Sequence, residues 1–135
     1  MASKLNPYLN FHGTARDAME FYRDVFGGEL FVRTFEDFNQ GEGGADLVMH
    51  SSLQTPAGYT FFASDTPPGS ERVEGENVVL CLAGDDAEEL RGYFRSLAHG
   101  GTVRMPLEKQ IWGDEFGMLV DRFGMHWMVN IDSGS

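Results

Sequence analysis

The stretch TARDAMEFYRDVFGGEL (Thr14–Leu30) combines a helical pattern with a double-glycine ending. Its apolar residues recur at the spacing of one helix face: Ala15, Ala18, Met19, Tyr22 and Phe26. Thr14 is a residue type that caps helix N-termini, and Gly27 or Gly28 supplies a C-terminal stop. The stretch therefore predicts an amphipathic helix that ends sharply before Glu29.

Strand patterns lie on both sides of this helix. NPYLNFHG (Asn6–Gly13) alternates polar and apolar residues before it, as a half-buried strand does. Three further strands are predicted after it, separated by glycine-rich and proline-containing turns. They are ELFVRTF (Glu29–Phe35), DLVMHSSLQ (Asp46–Gln54) and YTFFASD (Tyr59–Asp65). The first half is predicted to be a βαβββ module.

The second half repeats this order. NVVLCLAG (Asn77–Gly84) is followed by a helix that stops at Gly100 and Gly101, by TVRM, by a strand from about Trp112 to Val120, and by a last strand. When the halves are superposed, Asn6 aligns with Asn77, Leu9 with Leu80, and Gly58 with Gly124. We therefore predict one domain over residues 1–135, with modules at 5–66 and 77–132 joined by a linker at 67–76.

Composition excludes several classes of protein. The formal net charge of −11 repels phosphate backbones, so nucleic acid is not an expected partner. No apolar run approaches the roughly 20 residues that span a bilayer, so no membrane association is expected. The N-terminus lacks the pattern of a secretory signal, and the single Cys81 cannot form an internal disulfide, which together favour a cytoplasmic location.

The paired modules, with the motifs FYRDVFGG, HSSL, LAHGG, IWGDEFGMLVDRFG and WMVN, resemble the vicinal oxygen chelate superfamily. Within that superfamily, which includes glyoxalase I, extradiol dioxygenases and bleomycin-binding proteins, the chain is most similar to the PhnB-like branch. The resemblance implies an α+β fold in which each module forms a curved half-cup and the two half-cups enclose a central cavity. It also implies a homodimer.

The resemblance places four metal-ligand positions on the first and last strands of the modules. Metal-dependent relatives commonly have His, Glu or Gln there, whereas alignment puts Asn6, Phe62, Asn77 and Met128 at these places. Two carboxamides, a phenyl ring and a thioether are poor ligands for a hard divalent cation, because none carries a negative charge. We therefore expect neither the inherited metal site nor another cofactor.

The remaining candidates suit a small, partly aromatic or apolar molecule bound in the cavity. Large adaptable side chains are expected to line the cavity together with His50 and Ser52. The alternation of DLVMHSSL places His50 and Ser52 with Val48 on one face of the strand, opposite Met49 and Ser51. The large side chains are Tyr8, Phe62, Trp112, Phe116, Met118 and Met128, beside Asn6 and Asn77.

An enzyme is the alternative function. His50 and His126 are the candidate catalytic residues, as metal-free acid/base groups or in a relocated metal site with Glu115 or Asp65. The identity of a ligand or substrate does not follow from the sequence.

Overall fold

The computed structural model describes residues 5–34, 47–66 and 78–133. The chain divides into two compact units, residues 1–73 and 74–135, and each is considered separately below. The described part of the chain contains two helices and eight strands, and the strands form two four-stranded sheets. Neither helix there has the length and apolar character needed to cross a membrane.

The first unit has the predicted βαβββ order. Its sheet order is β1-β4-β3-β2, with β1 parallel to β4 and the other pairs antiparallel. The elements are β1 (Tyr8–Phe11), α1 (Ala15–Phe26), β2 (Glu29–Thr34), β3 (Val48–Gln54) and β4 (Thr60–Asp65).

The second unit repeats this topology, with sheet order β5-β8-β7-β6 and β5 parallel to β8. The elements are β5 (Leu80–Gly84), α2 (Ala87–Ala98), β6 (Thr102–Lys109), β7 (Glu115–Val120) and β8 (His126–Ile131). The strand predicted from about Trp112 begins only at Glu115. Trp112 lies instead in the β6–β7 turn, which is closed by hydrogen bonds from Gln110 N to Asp114 O and from Gly113 N to Gln110 O.

Each helix covers one face of the sheet in its own unit. In the first unit the rings of Tyr22 and Phe26 meet Phe61 of β4 edge-on, with centroids 6.1 and 5.5 Å apart. In the second, buried Phe94 of α2 packs over Gly117 of β7, where a Cβ atom would come within 2.9 Å of its ring. The opposite face of each sheet, called here the helix-free face, carries the alternate residues of every strand.

The hairpins β3–β4 and β7–β8 show the repeat at atomic detail. Thr55 N donates to Tyr59 O and Gly58 N to Thr55 O, while Asp121 N donates to Met125 O and Gly124 N to Asp121 O. Gly58 and Gly124 both have positive φ, of 93° and 87°, which glycine adopts without steric cost. The predicted equivalence of these two glycines is therefore correct.

The predicted equivalence of Leu9 with Leu80 is wrong by two residues. Leu9 lies opposite Ala63 of β4, and the corresponding neighbour in the second unit, Val129 of β8, lies opposite Leu82. Leu9 and Leu82 are both buried. A shift of two residues preserves the face of a strand, so the alternation of polar and apolar residues could not reveal the error.

A bulge corrects the face assigned to Val48. Arg33 pairs with His50, but its neighbour Thr34 pairs with Val48, so Met49 is an extra residue in β3. Val48 is consequently fully buried, while His50 is exposed. Val48 was predicted to share the face of His50 and Ser52, and strict alternation fails at this point because the bulge reverses it.

Candidate functional site

The helix-free face of the first unit carries three rings in mutual contact, which we call the aromatic triad: Tyr8, His50 and Phe62. The imidazole of His50 stacks on Phe62 with centroids 5.6 Å apart and an interplanar angle of 30°. Tyr8 lies 6.1 Å from each of the other two rings. Tyr8 and His50 are exposed and Phe62 is half-buried, so the triad is a formed aromatic surface that remains open in this unit.

The lateral register of the first sheet explains why these residues meet. Phe62 lies beside Tyr8 of β1 on one side and beside Ser52 of β3 on the other, and Ser52 in turn lies beside Phe31 of β2. Residues paired across strands share a face, so one row of side chains crosses all four strands. The structure thus places Tyr8, His50, Ser52 and Phe62 on one face of the first sheet.

Of the two asparagines predicted at metal-ligand positions, Asn6 and Asn77, the structure describes only Asn6. Asn6 precedes β1 and is half-buried, and its Nδ2 donates to the carbonyl oxygen of Thr60 at 3.4 Å. Asn77 lies outside the described residues. The Asn6 contact orients its carboxamide toward the backbone of β4, a structural role.

The helix-free face of the second unit is rich in thioethers. Met118 of β7 lies beside Met128 of β8, and Met128 lies beside Cys81 of β5. Phe116 and His126 occupy the same face, two residues away from Met118 and Met128 along their strands. Trp112, though in the turn, contacts Phe116 with ring centroids 6.2 Å apart and is 59% exposed.

Both carboxylates suggested for a relocated metal site are engaged elsewhere. Asp65 is 3% exposed and accepts hydrogen bonds from the backbone N–H groups of Gly13, Ala15 and Val48 at 2.9 to 3.0 Å. It thereby ties the start of α1 to two strands. Since Asp65 alternates with Ser64, it points to the helix-covered face, whereas His50 lies on the other.

Glu115 also belongs to the helix-covered side. Its carboxylate receives a two-point contact from the guanidinium of Arg91 on α2, with Arg91 Nε 3.1 Å from Oε1. The hydrogen bond and charge of Arg91 lower the pKa of Glu115. His126 occupies the opposite face of this sheet, so the hypothesis that His126 and Glu115 share a metal is wrong for this unit.

A second group of polar residues closes the end of β8. Asp114 accepts hydrogen bonds from Asn130 Nδ2 at 3.1 Å and from the backbone N–H of Ser133 at 3.0 Å. These hydrogen bonds, that of Asn130 first, lower the pKa of Asp114. This arrangement anchors the β6–β7 turn to the last strand.

Three residues on the helix-free faces were not predicted as site residues. Phe31, 59% exposed, extends the aromatic row, and alternation in ELFVRTF was the available signal. Cys81 lies beside Met128, and Met105 of β6 lies beside Met118. The position of Met105 had no sequence signal, because two register shifts in β6 set it.

Two tandem βαβββ units define the glyoxalase/bleomycin-resistance fold of the vicinal oxygen chelate superfamily, and solved structures confirm it. A structure from the same superfamily from Frankia aligns with a TM-score of 0.67 at 12% identity, over 97% of this chain and 98% of that one. The fosfomycin resistance protein FosX of Listeria monocytogenes, solved with Mn(II) and sulfate, aligns with a TM-score of 0.62 at 13% identity, over 98% of this chain and 94% of that one. At these identities the likeness shows the fold alone.

The family follows from closer matches. The family model described as 3-demethylubiquinone-9 3-methyltransferase matches residues 3–130, and the chain belongs to this PhnB-like family. Protein PA1353 of Pseudomonas aeruginosa is 34% identical, with a TM-score of 0.87 over 97% of this chain and 98% of that one. The PhnB protein of Bacillus cereus is 25% identical, with a TM-score of 0.78 over 96% and 100%. Protein YjdN of Escherichia coli is 29% identical over 139 residues, 94% of each chain.

Proposed function

We propose that this protein binds a small, partly aromatic molecule on the helix-free face of its first unit, without a divalent metal. The observation that supports this most directly is the aromatic triad of Tyr8, His50 and Phe62. Its rings are already in contact, so a planar ligand would extend an existing stack and would not have to order three separate side chains. Ser52, in the adjacent strand, can donate or accept a hydrogen bond to a polar group of the same ligand.

The side chains at the inherited metal positions support metal-free binding. Phe62 is a member of the triad, Met128 is a half-buried thioether, and Asn6 is oriented by the Thr60 carbonyl. In the first unit, Phe62 thus provides apolar contact area in place of a charged oxygen donor. We expect purified protein to contain less than one equivalent of zinc, nickel, manganese and iron, measured by elemental analysis.

Binding can be tested with indole as a neutral aromatic probe. Saturation-transfer NMR should show transfer from the protein to indole, and Phe62→Leu and Tyr8→Leu should each reduce it strongly. Tyr93→Leu is the matched control, since Tyr93 lies on α2 of the other unit and donates to Glu89. Equal transfer in all variants, or none in the wild type, would contradict the proposal.

An acid/base enzyme is the second candidate, favoured by one observation. The imidazole of His50 is exposed on the same face as the triad, so it can reach a ligand stacked on Phe62 and exchange a proton with it. A His50→Gln variant that binds indole but no longer turns over a compound bound by the wild type would identify a catalyst.

Methyl transfer, suggested by the family description, is less favoured because the turn between β1 and α1, FHGT, has one glycine and no nucleotide-binding fingerprint.

We also propose that the protein is a homodimer. Each four-stranded sheet ends in two edge strands, and an edge strand is where a second chain can add backbone hydrogen bonds. Sedimentation should show a species of twice 15.0 kDa at micromolar concentration. A single 15.0 kDa species would contradict this part of the proposal.

A further inference from the structure

Four sulfur-containing residues form one continuous row across the second sheet, which we call the sulfur row: Met105, Met118, Met128 and Cys81. Met105 of β6 pairs with Met118 of β7, Met118 pairs with Met128 of β8, and Met128 pairs with Cys81 of β5. Each strand of the sheet therefore contributes one sulfur at the same height. Cross-strand partners point to the same side of a sheet, so all four side chains lie on one face.

That face is the helix-free face of the second unit. Trp127 and Val129, which flank Met128 along β8, are buried beneath α2, and so is Leu82 next to Cys81. Met105 is 40% exposed, Cys81 is exposed, and Met118 and Met128 are half-buried. The row is therefore accessible in this unit and is not part of the packed core under α2.

The geometry suits a single ion bridging neighbouring sulfurs. Adjacent strands lie about 4.8 Å apart. Metal–sulfur bonds of about 2.3 Å, the length in zinc thiolate sites, allow one ion to join two sulfurs about 4.6 Å apart. The third sulfur lies one strand further, so its side chain must swing toward the ion, and the three rotatable bonds of methionine permit this.

We propose that the sulfur row binds one soft monovalent d¹⁰ cation, Cu(I) or its analogue Ag(I), through Cys81, Met128 and Met118. Thiolate and thioether ligands select Cu(I), whereas hard divalent ions need charged oxygen donors. Met105, at the edge of the sheet, is the flanking sulfur that can replace a ligand during ion entry or release. The sulfur row belongs to the second unit and the aromatic triad to the first, and the proposed binding of the ion does not require the proposed aromatic ligand.

The thiol must lose its proton when it binds the ion. A thiol is mostly protonated at neutral pH and the thiolate is the metal ligand, so binding of the ion at Cys81 should release a proton. The chain's net charge of −11 attracts a cation to the protein as a whole.

The test is an anaerobic titration of the full-length protein with Cu(I) buffered by bathocuproine disulfonate, repeated with Ag(I) as a redox-inert probe. One equivalent should bind per chain, and Zn(II) should not compete. Met118→Leu and Met128→Leu, which conserve volume, should each weaken binding at least about tenfold, a loss that even outer-shell changes at metal sites can cause. Met49→Leu, which changes a half-buried methionine of the first unit, is the matched control and should bind like wild type.

Cys81→Ser distinguishes binding of the ion by the sulfur row from binding by the Cys81 thiol alone. If Cys81→Ser removes binding while both leucine variants bind as tightly as wild type, the proposal is overturned, as it is if no ion binds. NMR of protein carrying ¹³C-methyl methionine provides a test that needs no folded variant. Ag(I) should shift the methyl signals of Met118 and Met128 and leave those of Met19 and Met49 in place, and uniform or absent shifts would overturn the proposal.

Discussion

The buried carboxylate of Asp121 accepts a hydrogen bond from the indole Nε1 of Trp127 at 2.9 Å, across the turn that joins β7 to β8. Its other oxygen accepts from the backbone N–H groups of Phe123 and Met125 at 2.8 and 3.1 Å. Asp121 is 3% exposed and Trp127 is 1% exposed. One carboxylate thus fixes both the turn and the largest core side chain of the second unit.

We expect Asp121→Ala to lower the free energy of unfolding by about 2–4 kcal/mol, because three N–H groups lose their acceptor in a site with little access to water. Asp132→Ala is the control, since Asp132 is exposed and accepts only a long hydrogen bond of 3.4 Å from Asn130. That variant should remain within about ±0.5 kcal/mol of wild type. Urea unfolding measures both, and similar values for the two variants would contradict the role assigned to Asp121.

Gly28 allows two causes of glycine preference to be separated. A Cβ atom there would lie 2.0 Å from the Gln54 carbonyl oxygen, and φ is +109°. Gly58 has φ of +93° with open space around it, while a Cβ at Gly101 would meet the Val120 oxygen at 2.3 Å with no positive φ. Gly58→Ala therefore reports backbone strain alone and Gly101→Ala the clash alone.

We expect Gly58→Ala to cost about 1–2 kcal/mol, the penalty for placing a side chain in the left-handed region. Gly28→Ala should cost more than either single-cause variant, because the strand β3 must move away from the helix end. Thermal and urea unfolding give the three values. An effect of Gly28→Ala no larger than that of Gly58→Ala would show that the backbone of β3 yields easily.

The ion pair between Arg91 and Glu115 should make part of the stability depend on pH. Glu115 has its pKa lowered by Arg91, so the pair stabilises the folded state above the ordinary glutamate value of 4.5 and this contribution is lost as the pH falls below it. The difference in urea midpoint between wild type and Glu115→Gln should therefore shrink from pH 6 to pH 3. It should also shrink in 1 M salt, because the pair is exposed. A difference in urea midpoint that stays constant with pH would mean that the charge of Glu115 does not contribute to stability.

The fold was predictable because both halves of the sequence repeat the same pattern of strands, helix and glycine turns. Double glycines after both helices serve the same close approach, since Gly28 packs against the Gln54 carbonyl and Gly101 against that of Val120. Turn glycines mark both hairpins. Local alternation then placed Tyr8, Ser52 and Phe62 on the correct face.

Register was the part that sequence could not supply. The extra residue Met49 in β3 and the irregular pairing of β6 depend on how neighbouring strands meet, which no local pattern encodes. For this reason Val48 was assigned to the wrong face, and Met105 was not recognised as a neighbour of Met118. The carboxylates Asp65 and Glu115 were misjudged for a related reason, because their backbone and arginine partners come from distant elements.

Met128 provides the most direct test of the site assignment, because the resemblance to the vicinal oxygen chelate superfamily aligns it with a metal-ligand position. Met128→Glu places a carboxyl group on the half-buried helix-free face beside Met118 and Cys81. Partial burial raises the pKa of such a group above its ordinary value. The folded state then favours the protonated form, so stability relative to wild type should fall as the pH rises from about 3.5 to 7, through the unfolded-state and then the folded-state pKa.

We expect this loss to be about 1–2 kcal/mol, corresponding to a pKa shift of about one unit. Met105→Glu is the matched control in the same row, since Met105 is 40% exposed and should show little change with pH. Urea unfolding at pH 3.5 and pH 7, with a chelator present to remove metal ions, measures both variants. A pH-independent result for Met128→Glu would show that the side chain is fully hydrated, and the placement of Met128 on a half-buried apolar face would then be wrong.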